Sequence, residues 1–109
     1  MSEYFNIESV TWQPVRPEIT KGVYGRLFLE KNFKMMLVRV TAGGGFSSHR
    51  DSYGHLFYFL SGEGVVRVEN QKFSAGPGTV VRVETGETHS YDNTGPSDLV
   101  LISLNLPKE

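Results

Sequence analysis

All three histidines of this 109-residue chain fall in two short segments, and one of those segments also carries an aspartate. In His49-Arg50-Asp51-Ser52-Tyr53-Gly54-His55 the aspartate and the second histidine stand at even spacings from the first. Side chains alternate across an extended strand, so an extended segment puts His49, Asp51 and His55 on one face. His89 follows the Thr85-Gly86-Glu87 turn, from which antiparallel pairing can bring it opposite the first cluster. Three imidazoles and a carboxylate suit a first-row divalent ion: iron, manganese or nickel, with zinc also compatible. Four protein ligands on a six-coordinate ion leave positions for water, dioxygen or a bidentate substrate, which is an open site and not a closed structural one. Plainer roles compete. His55 can be a strand histidine hydrogen-bonded in the core, and Asp51 a loop carboxylate that caps a turn or pairs with Arg50. Without Asp51, three histidines and water still make a competent site.

Composition narrows the chemistry further. Cysteine is absent, which excludes a disulfide framework, a thiol nucleophile and a thiolate metal site. Lys and Arg number 11 against 12 Asp and Glu, so there is no basic footprint for nucleic acid. No basic amphipathic stretch suggests a membrane surface. The opening MSEYFNIESV has neither the basic nor the apolar region of a signal peptide, and the longest apolar run, Leu56 to Leu60, is far too short to span a bilayer. The expectation is a cytoplasmic protein of one domain, residues 1–109, with no nucleic-acid or membrane partner.

The elements that must position these side chains are strands. No window sustains a period of 3.6, so any helix is no more than a turn. Short β-branched or aromatic runs recur instead: Val10 to Gln13, Gly22 to Glu30, Phe33 to Ala42, His55 to Leu60, Gly64 to Glu69, Thr79 to Glu84, His89 to Tyr91 and Leu99 to Leu106. Each closes on Gly, Pro, Asn, Asp or their neighbours, and Phe33 to Ala42 is expected to stop at Gly43-Gly44-Gly45. Strands with turn signals roughly every 8–12 residues indicate an all-β sandwich or barrel. LFYFL and VVRV read as strands buried on both faces, one filling a barrel and the other needing a second sheet or a partner chain. Lys108-Glu109, after Pro107, is expected to fray.

The stretch Gly43-x5-His49-x-Asp51-x3-His55-x6-Gly62 resembles the first motif of the cupins, G-x5-H-x-H-x3-4-E-x6-G. Gly78-x5-Glu84-x-Gly86-x2-His89-x3-Asn93 resembles the second, G-x5-P-x-G-x2-H-x3-N. The two lie in order over residues 43–93 and absorb every histidine. The resemblance implies a double-stranded β-helix, the jelly-roll barrel, closing on a metal pocket. It carries the metal positions to His49, Asp51, His55 and His89, the turn glycines to Gly43, Gly62, Gly78 and Gly86, and the closing asparagine to Asn93. The usual order His, His, Glu, His becomes His, Asp, His, His, so the donor inventory is permuted without changing its charge. Glu84 replaces the usual proline. Residues 1–20, with Tyr4, Phe5, Val10 and Trp12, form an N-terminal arm. In related small cupins such arms cross to a partner subunit, which implies a homodimer.

Phe57 and Phe59 share the parity of His55, and Tyr91 that of His89, so these aromatics are expected inside the barrel as core that also lines a pocket. Arg26 and Arg39 lie within strands. Arg39 is carried as a pocket residue for an anionic substrate, against the plainer reading of a surface or Glu-paired arginine. No fourth histidine can act as a base, so proton transfer falls to solvent at the metal, to Glu87 or to Tyr91. The leading functional expectation is a metal-dependent, dioxygenase-like oxidoreductase acting on a small molecule. The alternatives are an isomerase or decarboxylase using the metal as Lewis acid, or a cupin that only binds a small molecule.

Overall fold

A computed structural model describes residues 2–107; the expectation for Lys108-Glu109 lies outside them. After a single 3-10 turn at Ile7–Ser9, nine strands follow: β1 Gln13–Pro14, β2 Thr20–Glu30, β3 Lys34–His49, β4 His55–Ser61, β5 Gly64–Val68, β6 Gln71–Ala75, β7 Val80–Val83, β8 His89–Asn93 and β9 Leu99–Asn105. They pair antiparallel in the order β6-β5-β8-β3-β9-β4-β7, with β2 beside β3 and β1 beside β2. This curled sheet is the jelly-roll barrel expected from the paired motifs.

One expectation is corrected by the course of β3. The chain does not stop at its three glycines but runs through them, changing partner on the way. Residues 34–40 pair with β9, and residues 45–49 pair with β8. Gly43 takes φ +79°, a conformation that costs a residue without Cβ little, so a single strand turns the corner between the two halves of the barrel. The glycines are a bend within a strand. The sequence reading also omits β6, whose Gln71–Ala75 segment is mostly polar because it is an exposed edge strand. The Val10 to Gln13 run is reduced to the two-residue β1.

Alternation places the core. Val38, Val40, Phe59, Val66, Val83, Leu99 and Leu101 are fully buried inside the barrel, each contributing roughly 1.5–3 kcal/mol of transfer free energy. The chain buries only one face of LFYFL: Phe57 and Phe59 point in, whereas Tyr58 and Leu60 are exposed, as is Val80 on β7. Among the described residues no helix is long and apolar enough to cross a membrane.

Candidate metal centre

The His49–His55 segment is not extended. His49 ends β3, Asp51 sits in the connection, and His55 begins β4. Strand pairing and loop contacts, not strand alternation, bring these side chains together. His49 stands directly across from His89 in the β3–β8 register. His55 lies across β9 from Asn105 and across β7 from Val83. The connection is held from the opposite turn, where the Gly86 N–H donates to the Asp51 carbonyl at 3.0 Å. Gly86 itself has φ +83°, which an L side chain rarely adopts.

These constraints bring all four side chains to one point. Asp51 Oδ2 lies 2.8 Å from His55 Nε2, 3.0 Å from His49 Nε2 and 3.5 Å from His89 Nε2, and one donor atom from each of the four falls within 4.8 Å of the others. An octahedral ion with bonds of about 2.1 Å holds neighbouring donor atoms about 3.0 Å apart, close to the three separations from Asp51 Oδ2.

The hydrogen-bond pattern makes the same point. His49 Nδ1 lies 2.7 Å from the Ser47 carbonyl and His89 Nδ1 lies 2.8 Å from the Glu87 carbonyl. A carbonyl only accepts, so each Nδ1 must carry the proton. In the neutral imidazoles, Nε2 then presents a lone pair to a carboxylate oxygen that also carries lone pairs. Two acceptors at 3.0 Å ask for a cation between them. His89 Nε2 is buried and has no hydrogen-bond partner, which otherwise costs about 1–3 kcal/mol. Burial holds the His89 and His55 imidazoles below their ordinary range, opposed at His55 by the hydrogen bond to Asp51 and at His89 by the Glu87 carbonyl. Protonation of His55 and His89 is thus disfavoured, and a divalent ion fits the donor set.

The Asp51 side chain lies buried in the cluster and is not a surface cap. It is 7% exposed, and Arg16 Nη1 donates to Oδ1 at 2.9 Å. Arg50, the partner weighed from sequence, instead donates to Thr88 Oγ1. Burial works to raise the Asp51 carboxyl, but the hydrogen bonds from His55 and Arg16 outweigh it and hold the group below the usual carboxylate range.

A cavity of about 350 Å³ opens over the cluster, within the size range of small-molecule sites. Phe57 and Tyr91 line it, with Phe57 stacked on His55 at 5.4 Å and Phe46 stacked on His49 at 4.6 Å. Phe59 is fully buried behind this layer, edge-on to Phe57 and Tyr91. The Tyr91 hydroxyl is pushed well above its ordinary range by burial.

Two sequence candidates stand elsewhere. The Glu87 carboxylate accepts from the Glu84 N–H at 2.7 Å, so it closes the turn, and the residue meets the cluster through its backbone carbonyl. Arg39 is on the outer face, 4.5 Å from the Trp12 ring and 5.5 Å from Tyr24, with Arg26 stacked on the same indole at 4.3 Å. Strand alternation explains this, because Val38 and Val40 beside it point into the core. Sequence reasoning missed Arg16, which is 35 residues from Asp51, and no local signal joins the two. The arm reaches the site on its own chain, since Val10, Pro14 and Arg16 line the same cavity.

A jelly-roll barrel with a three-histidine, one-aspartate cluster at its mouth defines a β-barrel protein with a candidate metal site. The family model for the cupin domain matches residues 36–105, and the chain belongs to that family. Similar solved structures include a predicted oxalate decarboxylase from Thermotoga maritima, with TM-score 0.88 and 22% identity over 96% of this chain and 99% of that one. Another is the polyketide cyclase RemF from Streptomyces resistomycificus, with TM-score 0.87 and 19% identity over 100% of this chain and 81% of that one. KdgF from a Halomonas species gives TM-score 0.82 and 18% identity over 100% and 97%. Among curated proteins none matches this chain. At these identities the likeness is one of fold.

Proposed function

We propose that this cupin is a divalent-metal-dependent enzyme acting on a small organic molecule, with dioxygenase-like oxidoreductase chemistry as its leading class. The observation that carries the reading is the convergence of His49, His55 and His89 Nε2 on Asp51 Oδ2 at 2.8–3.5 Å beneath a small, mostly apolar cavity. His49, Asp51, His55 and His89 would hold the ion. Iron, manganese or nickel bound there would supply Lewis acidity and a redox couple at the remaining coordination positions.

The rest of the work belongs to the chain. The Ser47 and Glu87 carbonyls fix the tautomers of His49 and His89 so that both Nε2 lone pairs face inward. Arg16 holds Oδ1 of Asp51 and leaves Oδ2 to the cluster. Phe46, Phe57 and Tyr91 exclude water from one side of the substrate space. The Tyr91 hydroxyl is protonated at neutral pH, as a phenol ordinarily is, and burial raises it further, which suits it to donate a hydrogen bond to a substrate oxygen and not to act as a base.

A second reading, redox-neutral Lewis-acid chemistry with zinc among the possible ions, draws support from two similar structures named as a predicted decarboxylase and a cyclase. The experiment is elemental analysis of protein purified without chelator, followed by an oxygen electrode with the iron(II)-loaded protein and a panel of small organic acids. Substrate-dependent oxygen uptake supports the leading reading. Turnover under anaerobic conditions moves the assignment to the second. Failure to bind any first-row divalent ion after reconstitution overturns both and leaves a cupin that binds small molecules without metal.

A further inference from the structure

Charge in the substrate cavity is one-sided. Apart from the three imidazoles, the ionisable groups lining it with a formal charge at neutral pH are Arg16, Lys34 and Asp51. Asp51 belongs to the metal cluster, and with a divalent ion bound the whole cavity carries an excess of positive charge. Lys34 also lines the cavity and stands 3.8 Å from Glu30. Arg16 is different. Its guanidinium donates once, from Nη1 to Asp51 Oδ1 at 2.9 Å, and Nε stands 3.8 Å from Glu18, beyond hydrogen-bond distance. The other N–H groups of Arg16 have no hydrogen-bond partner among the described residues. Its side chain is 41% exposed whereas Asp51 is 7% exposed, so Arg16 bridges the buried cluster and the cavity mouth.

The backbone holds the arginine there. Arg16 has φ +42°, a conformation sparsely populated by residues with a side chain and kept only where the surroundings fix it. They do so through three donors, the Thr20 hydroxyl sharing its one proton between two carbonyls. Val15 N–H donates to the Val23 carbonyl, Ile19 N–H donates to the Arg16 carbonyl, and Thr20 Oγ1 donates to the carbonyls of Val15 and Arg16. A planar guanidinium with one N–H on the Asp51 carboxylate, exposed Glu18 only in ion-pair range, and its other donors without hydrogen-bond partners is shaped to take a further carboxylate.

We infer that the substrate is a small organic carboxylate with an apolar body, and that Arg16 is its anchor. This rests on the metal-centre reading above and adds to it the substrate class and a recognition residue carried by the N-terminal arm. The apolar part lies against Phe46, Phe57, Met36 and Val38, and the carboxylate faces Arg16 at the mouth. Arg39, the arginine suggested by sequence, stacks on Trp12 outside the barrel and has no part in it.

The test uses the full chain loaded with zinc(II), which is diamagnetic, and a panel of matched pairs: phenylacetate, benzoate and isovalerate, each against its amide. Calorimetry of wild type, R16Q and R16K measures the carboxylate-to-amide affinity ratio. Gln and Lys bear the left-handed backbone no better than Arg, so strain cancels in the comparison. For at least one pair the wild type is expected to prefer the carboxylate ten-fold or more, with R16Q lowering that ratio at least five-fold and R16K restoring part of it. The Arg16 Nε resonance of the wild type, followed by nitrogen-15 NMR, should shift with the carboxylate and not with the amide. That measurement decides the matter if R16Q does not fold. No carboxylate preference across the panel, a ratio unchanged in R16Q, or an unmoved Arg16 resonance overturns the inference. Zinc content of the same samples reports on the metal centre separately. If zinc does not bind, the metal reading fails while the same ratios on the metal-free protein still judge Arg16.

Discussion

Replacing Asp51 with asparagine keeps the shape of the side chain and removes its charge, so it separates a ligand from a structural hydrogen-bond acceptor. Asp51 Oδ2 lies within 3.5 Å of all three imidazole Nε2 atoms. Losing an outer partner of a metal ligand costs about 10–100-fold in affinity, and neutralising a direct donor should cost at least the upper end of that range. The consequence can be read as heat stability. Free metal at 100 times Kd stabilises the folded state by about 2.7 kcal/mol, and a domain near this size gains about 4 °C in Tm per kcal/mol. The wild type should therefore melt about 11 °C higher with metal than without. At the same metal concentration a 100-fold weaker variant sits at its own Kd, where the gain is about 0.4 kcal/mol, or about 2 °C. The assay is differential scanning fluorimetry with buffered manganese(II) or zinc(II), on both proteins, with and without metal. The reasoning fails if Asp51→Asn keeps the full metal-induced rise. It fails differently if the metal-free Tm falls as far as the metal-bound one, because Asp51 would then be holding the fold and not the ion.

The Phe59→Ala variant removes a fully buried ring behind the site and should cost about 3–5 kcal/mol, read as a lower urea midpoint; a loss under 1 kcal/mol would show that the barrel collapses around the gap. Glu87→Gln keeps an acceptor for the Glu84 N–H, so metal affinity measured by competition with a chelating dye should stay within about three-fold of wild type, whereas a loss above ten-fold would make the carboxylate part of the site. The metal-free protein should lose stability as pH falls below 6.5, because burial depresses the His55 and His89 imidazoles from that ordinary value and the unfolded chain then binds more protons than the folded one. The loss continues through the lower folded-state values; a Tm that stays level from pH 7.5 to 5 would contradict the neutral, buried imidazoles.

The sequence makes the fold legible because alternation and turn residues recur over most of the chain, and the paired motifs fix the register of the two segments that matter. What it hides has physical causes. Gly43-Gly44-Gly45 reads locally as a stop, yet a strand that must turn a barrel corner needs the same positive φ that a loop needs. Only the change of partner from β9 to β8 distinguishes them, and that is a long-range fact. Glu87 looks like a base because it precedes a candidate ligand. Its carboxylate instead closes a turn from which proline has been lost, since Glu84 offers the N–H that proline would lack. Arg16 carries no local mark at all. Its role is set by contact with a residue 35 positions away, and only the folded barrel brings the two together.

The permuted order of the candidate ligands follows from the same contacts. A carboxylate placed where imidazole is usual has a shorter reach and two oxygens where an imidazole directs one nitrogen. The short reach is met by drawing the β3–β4 connection inward through the Gly86 N–H and the Asp51 carbonyl. The second oxygen is occupied by Arg16, which leaves Oδ2 as the single inward donor. His55, starting β4 in place of a glutamate, returns the third imidazole from the neighbouring strand with Phe57 stacked against it. Asp51 and Arg16 are therefore one device. The aspartate can replace an imidazole as a one-point donor because the arginine takes its other oxygen, and the arginine is held at the cavity mouth because that oxygen is there to receive it.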